Sequence, residues 1–322
     1  MKIAIIGAGS LGCVFGAMLT TAGHDVWLIH RRREHVDKIN RDGLHVEGLS
    51  GDRYVRVKAT TDPAEVGPVD LALVLVKAMD TRAAVANAVS LAGPETVFLT
   101  LQNGLGNREK IAEVVGEDRA MAGITGVGGE LVGLGHVVHT VAGTTYVGEL
   151  DGSVSPRAEL IARALDRAGI PTEVTANVQG RIWDKVLRNS AANATCAITG
   201  YTPDYLFAFP SSREWVELVA RETATVAAAL GVKLPYDDPL AWLRKLWGTA
   251  PDPTSPAAHK PSMVQDIEKG RPTEVEAING AVVRAGESVG VPTPYNRALT
   301  LLVHMIEAKQ QYDSSRPGRS SS

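Results

Sequence analysis

The chain opens on an isoleucine-rich run, Lys2 to Ile6, which stops at Gly7-Ala8-Gly9-Ser10-Leu11-Gly12 and resumes over Cys13–Thr21 with the apolar spacing of a helix. That order, a strand fed into a helix through three spaced glycines, is the strongest constraint in the sequence. The first glycine permits a tight turn, the second lets a pyrophosphate approach the backbone, and the third lets helix and strand pack closely. The helix N-terminus then offers N–H groups and the positive end of its dipole to phosphates. Residues Gly7, Ala8, Gly9, Ser10, Leu11 and Gly12 therefore form a candidate dinucleotide site. A plain tight turn is the bland alternative, because glycine loops are common.

At 322 residues the chain is long enough for two domains with separate cores. A net charge of −3, with 44% hydrophobic and 21% charged residues, gives no basic footprint for nucleic acid and no reason to invoke a membrane surface. Two cysteines, Cys13 and Cys196, cannot build a disulfide framework or a four-ligand zinc site. With a first strand at residue 2 and no spanning apolar run, the expectation is a cytoplasmic protein that acts on small molecules.

Downstream of the first helix, Val26–Ile29 forms a second strand. At its end, where NAD-preferring sites carry an acidic residue for the ribose 2′-hydroxyl, the chain reads His30-Arg31-Arg32-Arg33, with Glu34 the first acid. An arginine fork suits a 2′-phosphate, so NADP is favoured over a solvated basic turn. One or two short strands are expected within Leu44–Val57, and a helix start at Thr61-Asp62-Pro63. The apolar run from Leu71 to Val76 reads as a buried parallel strand ending in Lys77, where open α/β sheets bind ligands. A helix over Thr81–Ala92 and a strand over Thr96–Leu101 bring Asn103 to the same edge, placed for a nicotinamide ribose or a substrate oxygen. Further strands and hairpins occupy 119–150, and Ser155-Pro156 caps another helix that Gly169 ends.

Near Gln179 the pattern turns almost entirely helical. This assigns 1–177 to an α/β Rossmann-type domain, 178–312 to an all-α domain, and 313–322 to a disordered tail. The helix over Arg181–Ala192 aligns Lys185, Asn189 and Asn193 at i, i+4 and i+8 along one drifting stripe. Such a stripe is often only a wet face, but two amides beside one ammonium form a set able to orient a carbonyl and protonate it. A capping box at Ser211-x-x-Glu214 opens a helix to Leu230, and the proline-rich stretch 249–261 reads as a loop that could act as a lid. Ser262 with Gln265 matches a second capping box, while Ser262 is also a natural carboxylate ligand. Glu274 reads equally as a first-turn acid complementing a helix dipole. Thr293-Pro294 begins a last helix, expected to bury Leu301, Leu302, Met305 and Ile306.

Taken in order, Gly7-x-Gly9-x-x-Gly12, Arg31, Val76-Lys77-Ala78, Gln102-Asn103-Gly104, Trp183-x-Lys185 with Asn189 and Asn193, Ser262-Met263-x-Gln265-Asp266 and Thr273-Glu274-x-x-x-Ile278-Asn279-Gly280 resemble the ketopantoate reductase (2-dehydropantoate 2-reductase) family over nearly the whole length. The resemblance implies a Rossmann first domain and an all-helical second. It also implies NADPH-dependent reduction of a 2-keto acid, with Lys185 as general acid and Glu274 as the other essential polar residue. By the same resemblance Asn103, Asn189, Asn193 and Ser262 contact substrate, and Arg31 and Lys77 serve NADPH; hydride transfer with Lys185 supplying the proton needs no metal. A homodimer is the oligomer to test for.

The resemblance has departures. Where the family commonly continues Asn-Pro-Leu-Thr-Ala, Asn193 is followed by Ala194-Thr195-Cys196-Ala197, and the aromatic stretch Tyr201–Phe209 is unexpected. Both lie toward the substrate end, so the reaction type is better determined than the substrate. Two competing readings are a D-2-hydroxyacid dehydrogenase of the same family, favouring NAD, and a non-catalytic NADP-binding sensor. Retention of Lys185 and Glu274 argues against the sensor.

Overall fold

The computed structural model describes residues 1–247 and 260–315. Nearly all of the expected lid at 249–261 therefore falls outside the described residues. The chain divides into two compact units, one made of Met1–Gln102 with Gly106–Gln179, the other of Asn103–Leu105 with the chain from Gly180 onward.

The first unit alternates strand and helix: β1 (Lys2–Ile6), α1 (Ser10–Thr21), β2 (Asp25–Ile29), α2 (Arg33–Asp42), β3 (Leu44–Gly48), β4 (Arg53–Val55), β5 (Lys58–Thr60), β6 (Leu71–Val74), α3 (Thr81–Asn87), β7 (Val97–Thr100), α4 (Asn107–Val115), β8 (Ala120–Thr125), β9 (Gly128–Gly133), β10 (His136–Val141), β11 (Thr145–Gly148), α5 (Pro156–Arg167) and β12 (Thr172–Val174). An eight-stranded sheet in the order β12-β11-β8-β7-β6-β1-β2-β5 is parallel except where β11 meets β8. Its central strands are buried on both faces, which is why β6 and β7 read as unbroken apolar runs rather than alternating ones. β1 lies between β2 and β6, so the chain changes direction across the sheet there. At such a switch point the carboxyl ends of adjacent strands leave a crevice for ligands.

A second sheet, in the order β4-β3-β10-β9, joins segments about ninety residues apart through the parallel pair β3/β10. It is tied to α1 by the Leu131 amide, which donates to Ser10 Oγ at 3.0 Å.

The second unit is helical: α6 (Val178–Thr199), α7 (Pro203–Ala208), α8 (Pro210–Ala229), α9 (Pro239–Trp247), α10 (Ser262–Glu268), α11 (Asn279–Val289) and α12 (Pro294–Ser314). Its core gathers Leu187, Ala191, Ala194 and Cys196 of α6 with Val216, Val219 and Ala220 of α8 and Leu299 and Val303 of α12. Among the described residues no helix is long and apolar enough to cross a membrane.

Several local expectations are corrected. The segment at Pro63 is one 3-10 turn, Pro63–Glu65, capped by Asp62, rather than the start of a full helix. α3 ends at Asn87, short of Ala92, because the Leu91 carbonyl accepts from Val69 N and from Thr96 Oγ1, which draws the chain toward β7. Helix α8 begins at Pro210, whose missing N–H costs nothing at that position, so Ser211 lies inside the first turn and forms no capping box. On α12 the buried face is Asn296, Leu299, Thr300 and Val303, whereas Leu301, Leu302 and Met305 are exposed. The anchor is polar: the Asn296 amide donates to Glu222 Oε2 at 2.9 Å, and that bond fixes the rotation of the helix. This helix also carries Asp313, where a disordered tail was expected to begin, and residues 316–322 lie outside the described residues.

Candidate active site

In the first unit, three loops leave the carboxyl ends of the neighbouring strands β1, β2 and β6. The glycine turn uses its glycines for different reasons. Gly7 has φ +106°, and a Cβ there would lie 2.6 Å from Val76 N. A Cβ on Gly12 would overlap the Gly7 carbonyl oxygen, so helix and strand can approach this closely only without a side chain. Gly9 meets neither limit: its φ is −81° and a Cβ would find nothing within 4 Å.

The amides of Gly7 and Ala8 are both spent on the Ile29 carbonyl, at 3.1 and 3.0 Å. The first bond inside α1 is Cys13 N to Gly9 O at 2.9 Å, so the amides of Gly9, Ser10, Leu11 and Gly12 have no acceptor within the helix. Ser10 differs from the other three in that its hydroxyl already serves Leu131. This turn can hold a diphosphate on backbone N–H groups.

Arg31 follows β2 with its side chain 84% exposed, 3.7 Å from Asp80 in the turn after β6. Lys77 stands just ahead of that turn and is partly buried. Gln102 braces the turn from β7, donating through Nε2 to Val76 O at 2.6 Å and to Thr81 Oγ1 at 2.8 Å, while its Oε1 accepts from Thr100 at 2.9 Å. Gln102 received no role from its sequence position. A buried glutamine following a strand is the signal that could have found it.

A Cys–His contact in this unit is not a catalytic pair. Cys13 Sγ lies 3.7 Å from His35 Nε2, but burial pushes the thiol up to about 12. Burial, followed by the neighbouring His30, lowers His35 to about 4. Both groups are neutral packing near pH 7.

In the second unit, α6 carries Lys185 and Asn189, both partly buried, and Asn193, which is buried. Burial lowers Lys185 from 10.5 to about 8, the Arg188 guanidinium pushes the same way, and Glu274 and Asp184 oppose them. Asp184 is itself buried, and its carboxyl is raised by that burial despite a 3.0 Å ion pair to Arg188. Arg188 also lies over the Trp242 ring, 5.6 Å from its centre.

Glu274 is buried and sits five residues before α11, in a turn whose amides of Ala277 and Ile278 donate to the Glu274 carbonyl. It is therefore not the first-turn acid of a helix. Asn103 belongs to this unit, in a short segment held by the Leu105 amide on the Ala277 carbonyl at 2.9 Å. Gly104 has φ +86°, and a Cβ there would overlap that same carbonyl oxygen. Asn103 and Glu274 are thus anchored to one turn, and the electrostatics link Glu274 to Lys185.

Asn279 completes the support. It is fully buried, donating to the Ser190 carbonyl of α6 at 2.9 Å and to Asn296 Oδ1 at 3.0 Å, with Glu222 beyond. Ser262 opens α10 as its first residue, exposed, behind an N-cap at Pro261. Gln265 instead donates to the Lys260 carbonyl, so the expected capping box is absent.

Comparison with known proteins agrees with this two-part construction. Residues 3–152 match the family described as ketopantoate reductase PanE/ApbA, and residues 177–307 match its C-terminal part. A 2-dehydropantoate 2-reductase of Archaeoglobus fulgidus is 36% identical over 308 residues, covering 95% of this chain and 98% of the relative. A PanE/ApbA family ketopantoate reductase from Ralstonia eutropha superposes with a TM-score of 0.87 at 36% identity, covering 97% of this chain and 100% of that structure. D-mandelate dehydrogenase, solved with NADH and anilino(oxo)acetate, superposes with a TM-score of 0.88 at 30% identity, covering 97% and 99%. The chain belongs to the ketopantoate reductase family and is an oxidoreductase acting on the CH–OH group.

Proposed function

We propose that this chain reduces a 2-keto acid, foremost ketopantoate to pantoate, with NADPH as reductant. When bound, the reduced nicotinamide supplies a hydride from C4 to the C2 carbonyl. The remaining work falls to the chain. The amides of Gly9–Gly12 receive the diphosphate, and Arg31 and Lys77 supply positive charge for the 2′-phosphate and its neighbours. Asn103, Asn189, Asn193 and Ser262 hold the keto acid, with the carbonyl oxygen toward Lys185. As negative charge grows on that oxygen, the Lys185 ammonium stabilises it and gives up the proton. Glu274 keeps the lysine charged against the burial that would strip its proton.

The observation that carries this reading is the half-buried Lys185, poised at about 8 between Arg188 and Glu274 on a helix that also carries Asn189 and Asn193 at i+4 and i+8. Two free, buried cysteines suit a reducing, cytoplasmic setting.

A second reading is favoured by one observation. D-mandelate dehydrogenase, crystallised with NADH, matches the fold as well as the reductases do. Tyr201, Tyr205 and Phe209 form an aromatic group with ring centres 6.0–6.5 Å apart, in the stretch where the family pattern is broken. The test is oxidation of NADPH and of NADH followed by absorbance with ketopantoate and a panel of other 2-keto acids, aromatic ones included. Ketopantoate with NADPH should rank first, and Arg31→Glu should erode the preference for NADPH. A higher kcat/KM for an aromatic keto acid with NADH selects the second reading. No turnover across the panel revives a non-catalytic binding protein.

A further inference from the structure

The second sheet of the first unit carries a cluster that the reductase chemistry does not use. β3 and β10 pair in parallel with His45 opposite His136, and His45 faces Tyr54 across the antiparallel β4. Side chains alternate along a strand, so Glu47 shares the face of His45 while Leu44 and Val46 point into the core, both fully buried. That face therefore presents two imidazoles and a carboxylate from segments about ninety residues apart.

The rings of His45 and His136 stack with centroids 4.1 Å apart and planes 21° from parallel. His136 Nε2 lies 3.0 Å from Glu47 Oε2, and His45 Nε2 lies 3.7 Å from Glu47 Oε1. One ligand atom from each of the three residues falls within 4.8 Å of the others. The β3–β4 turn adds Asp52, whose Oδ1 is 2.8 Å from His45 Nε2. His136 Nε2 is shut off from solvent, and its contact with Glu47 lacks the alignment of a hydrogen bond. His45, His136 and Glu47 are part-buried, with side-chain exposures of 18%, 31% and 37%, whereas Asp52 is 75% exposed.

We propose that His45, Glu47 and His136 bind a divalent transition-metal ion of the zinc type, with Asp52 as the fourth ligand, as a staple between β3 and β10. The donor set argues for the class: imidazole with carboxylate suits zinc, whereas magnesium and calcium take oxygen ligands. Tetrahedral zinc, with Zn–N of about 2.0–2.1 Å, brings its ligand atoms to about 3.3 Å of one another. Stacked rings do not aim two Nε2 lone pairs at one point, so filling the site unstacks the His45 and His136 imidazoles about their side-chain torsions while the pairing of β3 with β10 keeps its register. Asp52 holds the same nitrogen that would ligate, so its carboxylate passes from His45 to the metal as the site fills. The ion replaces the unsatisfied Nε2 contact and neutralises the carboxylates, and it closes a loop between positions 45 and 136.

The test uses the full-length, tag-free protein, stripped with chelator and titrated with Zn²⁺ by calorimetry, with Co²⁺ absorption as a probe of tetrahedral geometry. One ion per chain should bind, raise the Tm, and give the visible bands of tetrahedral cobalt. His45→Ala and His136→Ala should each weaken binding about 100-fold, comparable to the upper range for perturbing a metal shell. Keto-acid turnover should stay unchanged in both. Glu47→Gln, which keeps the shape of the side chain, should weaken Zn²⁺ binding without altering Tm in the absence of metal. That variant keeps the test valid if a histidine variant misfolds. Stoichiometric binding that survives all three substitutions, or no binding at micromolar Zn²⁺, overturns the proposal.

Discussion

Lys185 carries opposing charges on either side of one titration, and that makes its role separable residue by residue. Burial and then Arg188 lower it to about 8, while Glu274 and Asp184 raise it. With Lys185 as the proposed proton donor, kcat/KM for the keto acid should fall as pH rises through about 8, and oxidation of the hydroxy acid, which would use the free amine, should rise over the same range. Glu274→Gln removes a charge that favours the ammonium and should move the limb to lower pH by about one unit. Arg188→Gln removes a charge that disfavours it and should move the limb the other way, the glutamine still able to bond Asp184. Paired pH profiles of the two variants check this, and shifts of the same sign in both would refute the electrostatic arrangement. At this scale the sequence named Lys185 and Glu274 but could not weigh them, because charge coupling depends on burial and on Arg188 one helical turn away. Gln102, Asn279 and Glu222 went without roles for a related reason: a buried polar residue declares itself only through the carbonyls and amides it meets.

Elements differ in how far their sequences announce them. The strand–glycine–helix start of the chain was legible from its spacing, and the structure separates the three glycines: Gly7 and Gly12 answer to sterics, Gly9 does not. Gly9→Ala, with φ −81° and open space around its would-be Cβ, should leave Tm unchanged. The same methyl stands where a diphosphate would cross, so KM for NADPH should rise about tenfold or more, a loss of about 1.4 kcal/mol of binding. Gly12→Ala drives its methyl into the Gly7 carbonyl and should destabilise the first unit by about 1–3 kcal/mol whether or not cofactor is present. Melting curves and NADPH kinetics on both variants check the contrast; equal behaviour would remove the reason for assigning Gly9 to the cofactor. Other elements were misread where a distant partner outvotes local pattern. The rotation of α12 follows Asn296 on Glu222 rather than its leucines, and α3 stops where Leu91 is claimed by Val69 and Thr96. The pairing of β3 with β10 left no local trace at all, since neither strand contains information about the other's register.

For the molecule as a whole, a lysine held near neutrality in a folded chain is a charge kept against the fold's preference. In the unfolded chain Lys185 titrates near its ordinary 10.5, in the folded chain near 8, so between those values the unfolded state binds more protons. Stability from this group therefore rises with pH across that window, and below about 8 the full penalty is present. Lys185→Met, which keeps the length and drops the charge, should remove the penalty and stabilise the ligand-free protein at pH 7 by about 1–2 kcal/mol, within the range of other stabilising substitutions at functional positions. It should at the same time lower kcat for keto-acid reduction by about 100-fold or more, as the loss of a general acid does. The stability gain has a signature that a simple packing improvement lacks: it should shrink as pH rises above 8 and vanish near 10.5, where wild type also holds a neutral amine. Denaturant titrations of the two proteins at pH 7, 9 and 10.5 would read it directly. A difference that does not close with pH would mean that the methionine packs better, and that Lys185 is not held at the edge of its charge by the fold.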